Sequence, residues 1–149
     1  MFEIKVLIIF CGMYYATPQW CKQQTPQHIK DTYEIHYLKY GTPLETIQNI
    51  NYQKTSILGF SAGGLDVLKN FNHNWAFVGL IDPTTRSKYT NLNFDKRVYM
   101  MYNEKNWGNT NKSLIPVALS INKCGGIATK VSLNHSDIYK HFFDTYFKK

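Results

Sequence analysis

Residues Thr55-Ser56-Ile57-Leu58-Gly59-Phe60-Ser61-Ala62-Gly63-Gly64 carry a short apolar run straight into Gly-x-Ser-x-Gly. Behind it, Ala62, Leu65, Leu68 and Phe71 recur every third residue, on one face of a helix. Strand, sharp turn and helix follow one another, which is the context in which this motif lifts a serine up as a nucleophile. The backbone dictates the residue types. A serine at the apex of so tight a turn sits in strained backbone with its neighbours crowded against it. Gly59 and Gly63 remove side chains where strand and helix come close. The hydroxyl is then held toward solvent at a helix N-terminus. The first helical N–H groups lack partners there, so the N–H of Ala62 and the helix dipole favour an oxyanion beside Ser61.

Outward from that stretch, strand-like and helix-like segments alternate. Toward the N-terminus, Ile4 to Phe10 is a continuous apolar and β-branched run, a buried parallel strand, which Cys11-Gly12-Met13 breaks. Thr25-Pro26 opens a short helix to about Thr32, with Pro26 suited to its first turn. Glu34 to Leu38 alternates apolar with polar residues and suits a sheet edge. Gly41-Thr42-Pro43 starts a helix through about Ile50, capped by Thr42. Toward the C-terminus, Trp75 to Ile81 is the next buried strand and ends in Asp82-Pro83. A polar stretch runs to Asp95, and Arg97 to Tyr102 is another strand. Lys112 to about Lys123 is an amphipathic helix that Gly125-Gly126 stops. Ile127 to Leu133 alternates as a second edge strand. His135 follows directly, and a helix over Ser136 to Phe147 closes the chain. The pattern predicts an α/β fold in one domain over residues 1–149: a six-stranded, mostly parallel sheet with helices on both faces. In such sheets ligands bind beyond the carboxyl ends of the strands. Gly12, Ser61, Asp82, Asn106 and His135 all fall at such ends.

Composition narrows the function classes. A hydrophobic fraction of 44% is that of a globular chain. No apolar run approaches the ~20 residues of a membrane span. Met1 to Phe10 is interrupted by Glu3 and Lys5 and reads as a strand rather than a leader, so a cytoplasmic protein is expected. Cys11, Cys21 and Cys124 are odd in number and widely spaced, with neither a disulfide framework nor zinc spacing. The net charge is +7, yet the 17 basic residues are scattered and their longest runs are the pairs Lys96-Arg97 and Lys148-Lys149. That is a solvated surface, and no nucleic-acid-binding motif accompanies it.

With these residues in hand, the chain resembles the α/β-hydrolase superfamily in a minimal form, over nearly its whole length. Its strands are similar to that family's third to eighth, and the two N-terminal strands have no counterpart. The resemblance implies that the first strand lies beside the elbow strand, and that a triad runs Ser, acid, His in chain order. Ser61 matches the nucleophile and His135 the histidine after the last strand. Phe10-Cys11-Gly12-Met13 stands where the family often has His-Gly-x, which makes the backbone N–H of Met13 the second oxyanion donor beside that of Ala62. Cys11 replaces the usual His, of little consequence because the donor is main chain. The acid departs from the pattern. Tyr102-Asn103-Glu104-Lys105-Asn106-Trp107 resembles Gly-x-x-Asp after the seventh strand, with Asn106 at the acid position. Val78-Gly79-Leu80-Ile81-Asp82-Pro83 resembles the Gly-Leu-Asp-Pro of some lipases, whose acid follows the sixth strand. Asp82 is preferred to Asn106, a neutral orienter, and to Glu104. One extra residue, Ile81, separates Leu80 from Asp82 relative to that pattern, and in a strand one residue reverses the side-chain direction.

Only about Pro83 to Lys96 stands where other members carry a lid. The mouth is therefore expected to be open, with Gly12, Tyr14, Tyr15 and Trp107 lining it for an acyl or aryl group. The resemblance implies a serine hydrolase of small carboxylic esters or thioesters, working through an acyl-enzyme on Ser61 and needing no metal or cofactor. A second reading, a binding or structural protein on a hydrolase scaffold without full catalysis, rests on Asn106 and the missing strands. His28, His36, His73 and His141 read as surface residues, and Trp20 and Trp75 as core.

Overall fold

The strand that leads into the serine, β3 (Thr55–Phe60), is buried at all of its residues. A run with no polar alternation needs neighbours on both edges and cover on both faces, and β3 has them. A computed structural model of the chain describes residues 4–147. The start of the chain before Ile4 and the pair Lys148-Lys149 lie outside the described residues. β1 (Lys5–Phe10) and β4 (Phe77–Ile81) flank β3. Outside them lie β2 (Tyr33–Leu38) on one side, and β5 (Val98–Tyr102) and then β6 (Ile127–Lys130) on the other. The order is β2-β1-β3-β4-β5-β6, and every pair is parallel. The weakly alternating segments at 34–38 and 127–133 supply the two edges, β2 and β6.

Alternation along the strands sends side chains into two cores. On one face Ile8, Phe10, Ile57 and Leu80 meet α3 (Gly63–Lys69) and α4 (Leu114–Lys123). On the other, Leu7, Ile9, Leu58 and Phe60 meet α1 (Pro18–Gln24), α2 (Gln27–Thr32) and α5 (His135–Tyr146). The register pairs Phe10 with Gly59 and Phe60 with Ile81, so the carboxyl ends of β1, β3 and β4 stand level. Among the described residues no helix is long and apolar enough to cross a membrane.

Three local expectations are corrected. The segment 42–50 is not a helix; it holds a single 3₁₀ turn, Leu44–Thr46, followed by extended backbone at Ile47. Asn49 sits at φ 59°, and only Leu44 is buried there. Threonine, isoleucine and asparagine propagate a helix poorly, and too little apolar surface is buried to override them. A helix that periodicity did not mark, α1, starts at Pro18, where the Thr17 side chain accepts from the N–H of Trp20 at 3.2 Å. Finally, β6 ends at Lys130 rather than Leu133, and His135 is the first residue of α5 rather than a loop residue before it.

Candidate active site

Ser61 lies one residue past β3 with φ 57°, a left-handed backbone that L-residues adopt under strain. Hydrogen bonds hold it there. Its N–H donates to the carbonyl of Ile81 at 3.1 Å, and its carbonyl accepts from the N–H of Gly64 at 2.9 Å and of Thr84 at 2.8 Å. The turn is possible only because of its glycines. A Cβ on Gly63 would stand 2.0 Å from the Phe10 carbonyl oxygen, and one on Gly59 would stand 2.3 Å from that of Gly63. Of the four described non-glycine residues with positive φ, three are at this end of the sheet: Tyr14, Ser61 and Asp82.

The loop after β1 passes directly over the serine. A Cβ on Gly12 would come within 3.0 Å of Ser61 Cβ. Gly12 N–H donates to the Ala16 carbonyl at 2.9 Å, and Ala16 N–H to that of Met13 at 3.1 Å, which closes the loop into a tight turn. The backbone N–H groups of Met13 and Ala62 donate to no group among the described residues. Two free donors therefore adjoin the serine: Ala62 follows it directly in the chain, and Met13 follows the Gly12 that packs against it. Cys11 is buried beneath this loop. A hydrogen bond with Cys21, burial and the proximity of that second thiol push its pKa far up, so it stays a neutral thiol.

Asp82 follows β4 with φ 38° and has no exposed surface. A carboxylate so removed from water needs full pairing, and this one has it. Oδ1 accepts from the Asn103 N–H at 3.0 Å and from Trp107 Nε1 at 3.3 Å. Oδ2 accepts from Asn106 Nδ2 at 2.9 Å and lies 2.6 Å from His135 Nδ1. Because the residue has left the strand, with its N–H still donating to the Met101 carbonyl at 2.7 Å, the reversal expected from the extra Ile81 does not apply. The left-handed turn aims the side chain instead, and Asp tolerates that conformation better than most residues.

The His135 ring lies between two aromatic side chains. Phe60, the residue just before Ser61, stacks on it at 4.7 Å, and Trp107 meets it edge-on at 5.4 Å. Trp20 also stacks on Phe60, at 5.4 Å, and Tyr15 packs edge-on against Trp20 at 5.1 Å. With Nδ1 donating to Asp82, Nε2 is left as an acceptor. Among the described residues the Ser61 hydroxyl makes no hydrogen bond, to His135 or to any other group. Burial raises the Tyr15 phenol, and the charges of Asp82 and Asp137 raise it further. Met13, Tyr14 and Tyr15 are consecutive exposed residues on the loop after β1, with Tyr14 88% exposed.

Of the three candidate acids, only Asp82 contacts His135. Asn106 contacts Asp82 instead, and Glu104 is ion-paired with Lys130. His28, His36, His73 and His141 lie away from this cluster: His36 pairs with Glu34 and His73 with Asp95, while His28 meets the Phe147 carbonyl. Trp75 is buried in the core, whereas Trp20 is half-buried in the aromatic row under the site. Asn103 and Phe60 were not foreseen. Asn103 lies within the stretch read for its acid, and Phe60 is the variable position before the serine; neither residue type announces a role by itself. Among the described residues no group of three or more His, Cys, Asp or Glu side chains is placed to hold a metal ion.

A scan against protein-family models finds no match for the chain, and a search of curated proteins finds no similar sequence. Among solved structures it is similar to Est2, a thermophilic esterase from the Planctomycetes species Thermogutta terrifontis, solved with propionate bound. The TM-score is 0.56 at 10% identity, over 96% of this chain and 84% of that one. At such identity the likeness is one of architecture: this chain has the α/β fold of that esterase.

Proposed function

We propose that the chain is a serine hydrolase of small carboxylic esters or thioesters, acting as one unit through an acyl-enzyme on Ser61. The observation that carries this reading is the buried Asp82 carboxylate bonded to His135 Nδ1 at 2.6 Å, with the His135 ring stacked on the residue that precedes the strained Ser61. The fold shared with an esterase supports it.

The reaction follows from those atoms. Rotation of the Ser61 hydroxyl brings its proton to His135 Nε2 as Oγ attacks the acyl carbon; such contacts often tighten only when substrate binds. The carbonyl becomes a tetrahedral oxyanion, which the N–H groups of Ala62 and Met13 stabilise. Asp82 stabilises the imidazolium without taking its proton. The bond to the leaving oxygen or sulfur breaks, and His135 Nε2 gives that atom its proton. Water then attacks the acyl-enzyme, with His135 again taking the proton and returning it to Ser61 Oγ as the acid departs. Gly12, Tyr14, Tyr15 and Trp107 border the space for the acyl or leaving group.

One observation favours the second reading, a scaffold without full catalysis: the missing hydrogen bond between Ser61 and His135. A single experiment separates the two. A fluorophosphonate probe labels an activated serine rapidly, and the expected result is labelling of the wild type that Ser61→Ala abolishes, together with p-nitrophenyl ester hydrolysis. Equal labelling or turnover in Ser61→Ala would remove Ser61 from the reaction, and an unlabelled, folded wild type would leave the scaffold reading standing.

A further inference from the structure

We infer that Asn106 is a positioning residue that acts on the reaction through Asp82, and that it is neither a displaced triad acid nor a direct partner of the histidine. The inference rests on the proposed roles of Ser61, His135 and Asp82 and assigns a function to a residue outside them. Asn106 Nδ2 donates to Asp82 Oδ2 at 2.9 Å and to the Leu133 carbonyl at 3.1 Å. Both partners are pure acceptors, which sets the orientation of the amide: the nitrogen must face them. One donor group thus ties the acid at the end of β4 to the backbone two residues ahead of His135. Asn103 strengthens the tie, with its N–H on Asp82 Oδ1 at 3.0 Å and its Nδ2 on the same Leu133 carbonyl at 2.9 Å.

The chemistry explains why an amide stands here. Oδ2 is also the oxygen that His135 Nδ1 meets at 2.6 Å. A carboxylate at position 106 would set two like charges against one another within hydrogen-bond distance, and such a pair resists full ionisation. The amide instead draws on the Asp82 charge and fixes which lobe of Oδ2 faces the imidazole. Removing it leaves a looser and more basic carboxylate. Adding a charge at the same place raises the proton affinity of the whole cluster.

The test compares the wild type with Asn106→Ala and Asn106→Asp. Asn106 is itself exposed, so both variants are expected to fold, and thermal denaturation checks that. The first readout is kcat and KM on a p-nitrophenyl ester. Loss of a hydrogen bond to a charged group is worth about tenfold or more, so Asn106→Ala lowers kcat by about tenfold with KM within about twofold. The second readout needs no turnover: the pH midpoint of the His135 ring by NMR. It moves upward in Asn106→Ala and further upward, by at least about one unit, in Asn106→Asp, the size of effect a close like charge produces. The other ionisable groups near Asp82 and His135, Tyr15 on the β1 loop and Asp137 on α5, are unchanged across the series, as are Lys105 and the Glu104–Lys130 pair on the neighbouring segments. The difference therefore reports residue 106.

An unmoved midpoint in both variants overturns the inference, as does an unchanged kcat in Asn106→Ala. A rise in turnover for Asn106→Asp also overturns it, because that is the behaviour of a missing acid being restored. An inactive wild type whose midpoint still responds to residue 106 would overturn the catalytic reading above while supporting the tie between Asn106 and Asp82.

Discussion

Asp82 is a carboxylate with no exposed surface, held by three N–H donors and one imidazole. Hydrogen bonds to a charged acceptor are the strong ones, and in a low-dielectric site a fully satisfied network keeps the side chain in one place. That is the property a triad acid needs, since its task is to hold one imidazole tautomer. Exchange of a triad Asp for Asn in the chymotrypsin-like template lowers turnover about 10⁴-fold through the wrong tautomer. Asp82→Asn is accordingly expected to lower kcat by roughly three to four powers of ten. Steady-state hydrolysis of a soluble ester, with circular dichroism to confirm folding, measures it. Turnover within tenfold of the wild type would take Asp82 out of the reaction.

Between elements, the turns that open β4 and β5 are fastened at the end of the sheet opposite the site. Asp95 accepts from His73 Nδ1 at 2.8 Å, and from the backbone N–H of Arg97 at 2.9 Å and its Nη2 at 3.1 Å; Arg97 Nη2 also reaches the His73 carbonyl. Burial alone would raise the Asp95 carboxyl, but hydrogen bonds from His73 and Arg97 and the Arg97 charge outweigh it and hold the pKa below the usual carboxylate value. A depressed acid contributes stability above its unfolded pKa and loses that contribution as pH falls through the folded value. Asp95→Asn is therefore expected to destabilise the protein at pH 7, by about 1 kcal/mol, the upper end for partly exposed pairs. The deficit shrinks below about pH 4, the reference range of a carboxyl. Urea denaturation at several pH values checks this; a deficit that persists undiminished at pH 3 would show that shape, and not charge, is responsible.

Across the whole molecule, the connection between β4 and β5 decides how open the site is. It contains one 3₁₀ turn, Ser87–Tyr89. Its apolar residues, Tyr89, Leu92 and Phe94, pack on the core shared with α3 and α4. A segment committed to that face has no apolar surface left to swing across Ser61. Lids that move aside are the usual origin of a rate jump at an interface. Hydrolysis of a short-chain ester is therefore expected to rise smoothly through the concentration at which it forms micelles, and a sharp jump there would contradict the proposal of a site without a lid.

The sequence by itself determined the alternation of strands and helices, which strands are edges, and the serine turn. Those are local matters: a buried strand must read as a continuous apolar run, and Gly-x-Ser-x-Gly is dictated by how close β3, α3 and the end of β1 approach. It also brought Asp82 and His135 forward as candidates, but not their contact. The two are 53 positions apart, and only the level ends of β4, β5 and β6 bring them within 2.6 Å. Only tertiary structure, likewise, puts Asp82 against His135 and Asn106 against Asp82. Strand alternation argued against Asp82, and its left-handed φ removed that argument. The irregular path over 42–50 was settled by burial too: the apolar spacing of Leu44, Ile47 and Ile50 fits a helix, but too little apolar surface is buried there to override residues that propagate one poorly. Periodicity records which way a side chain faces from its own element; it holds no information on how far apart two elements stand, and hydrogen bonds and ion pairs form only at short range.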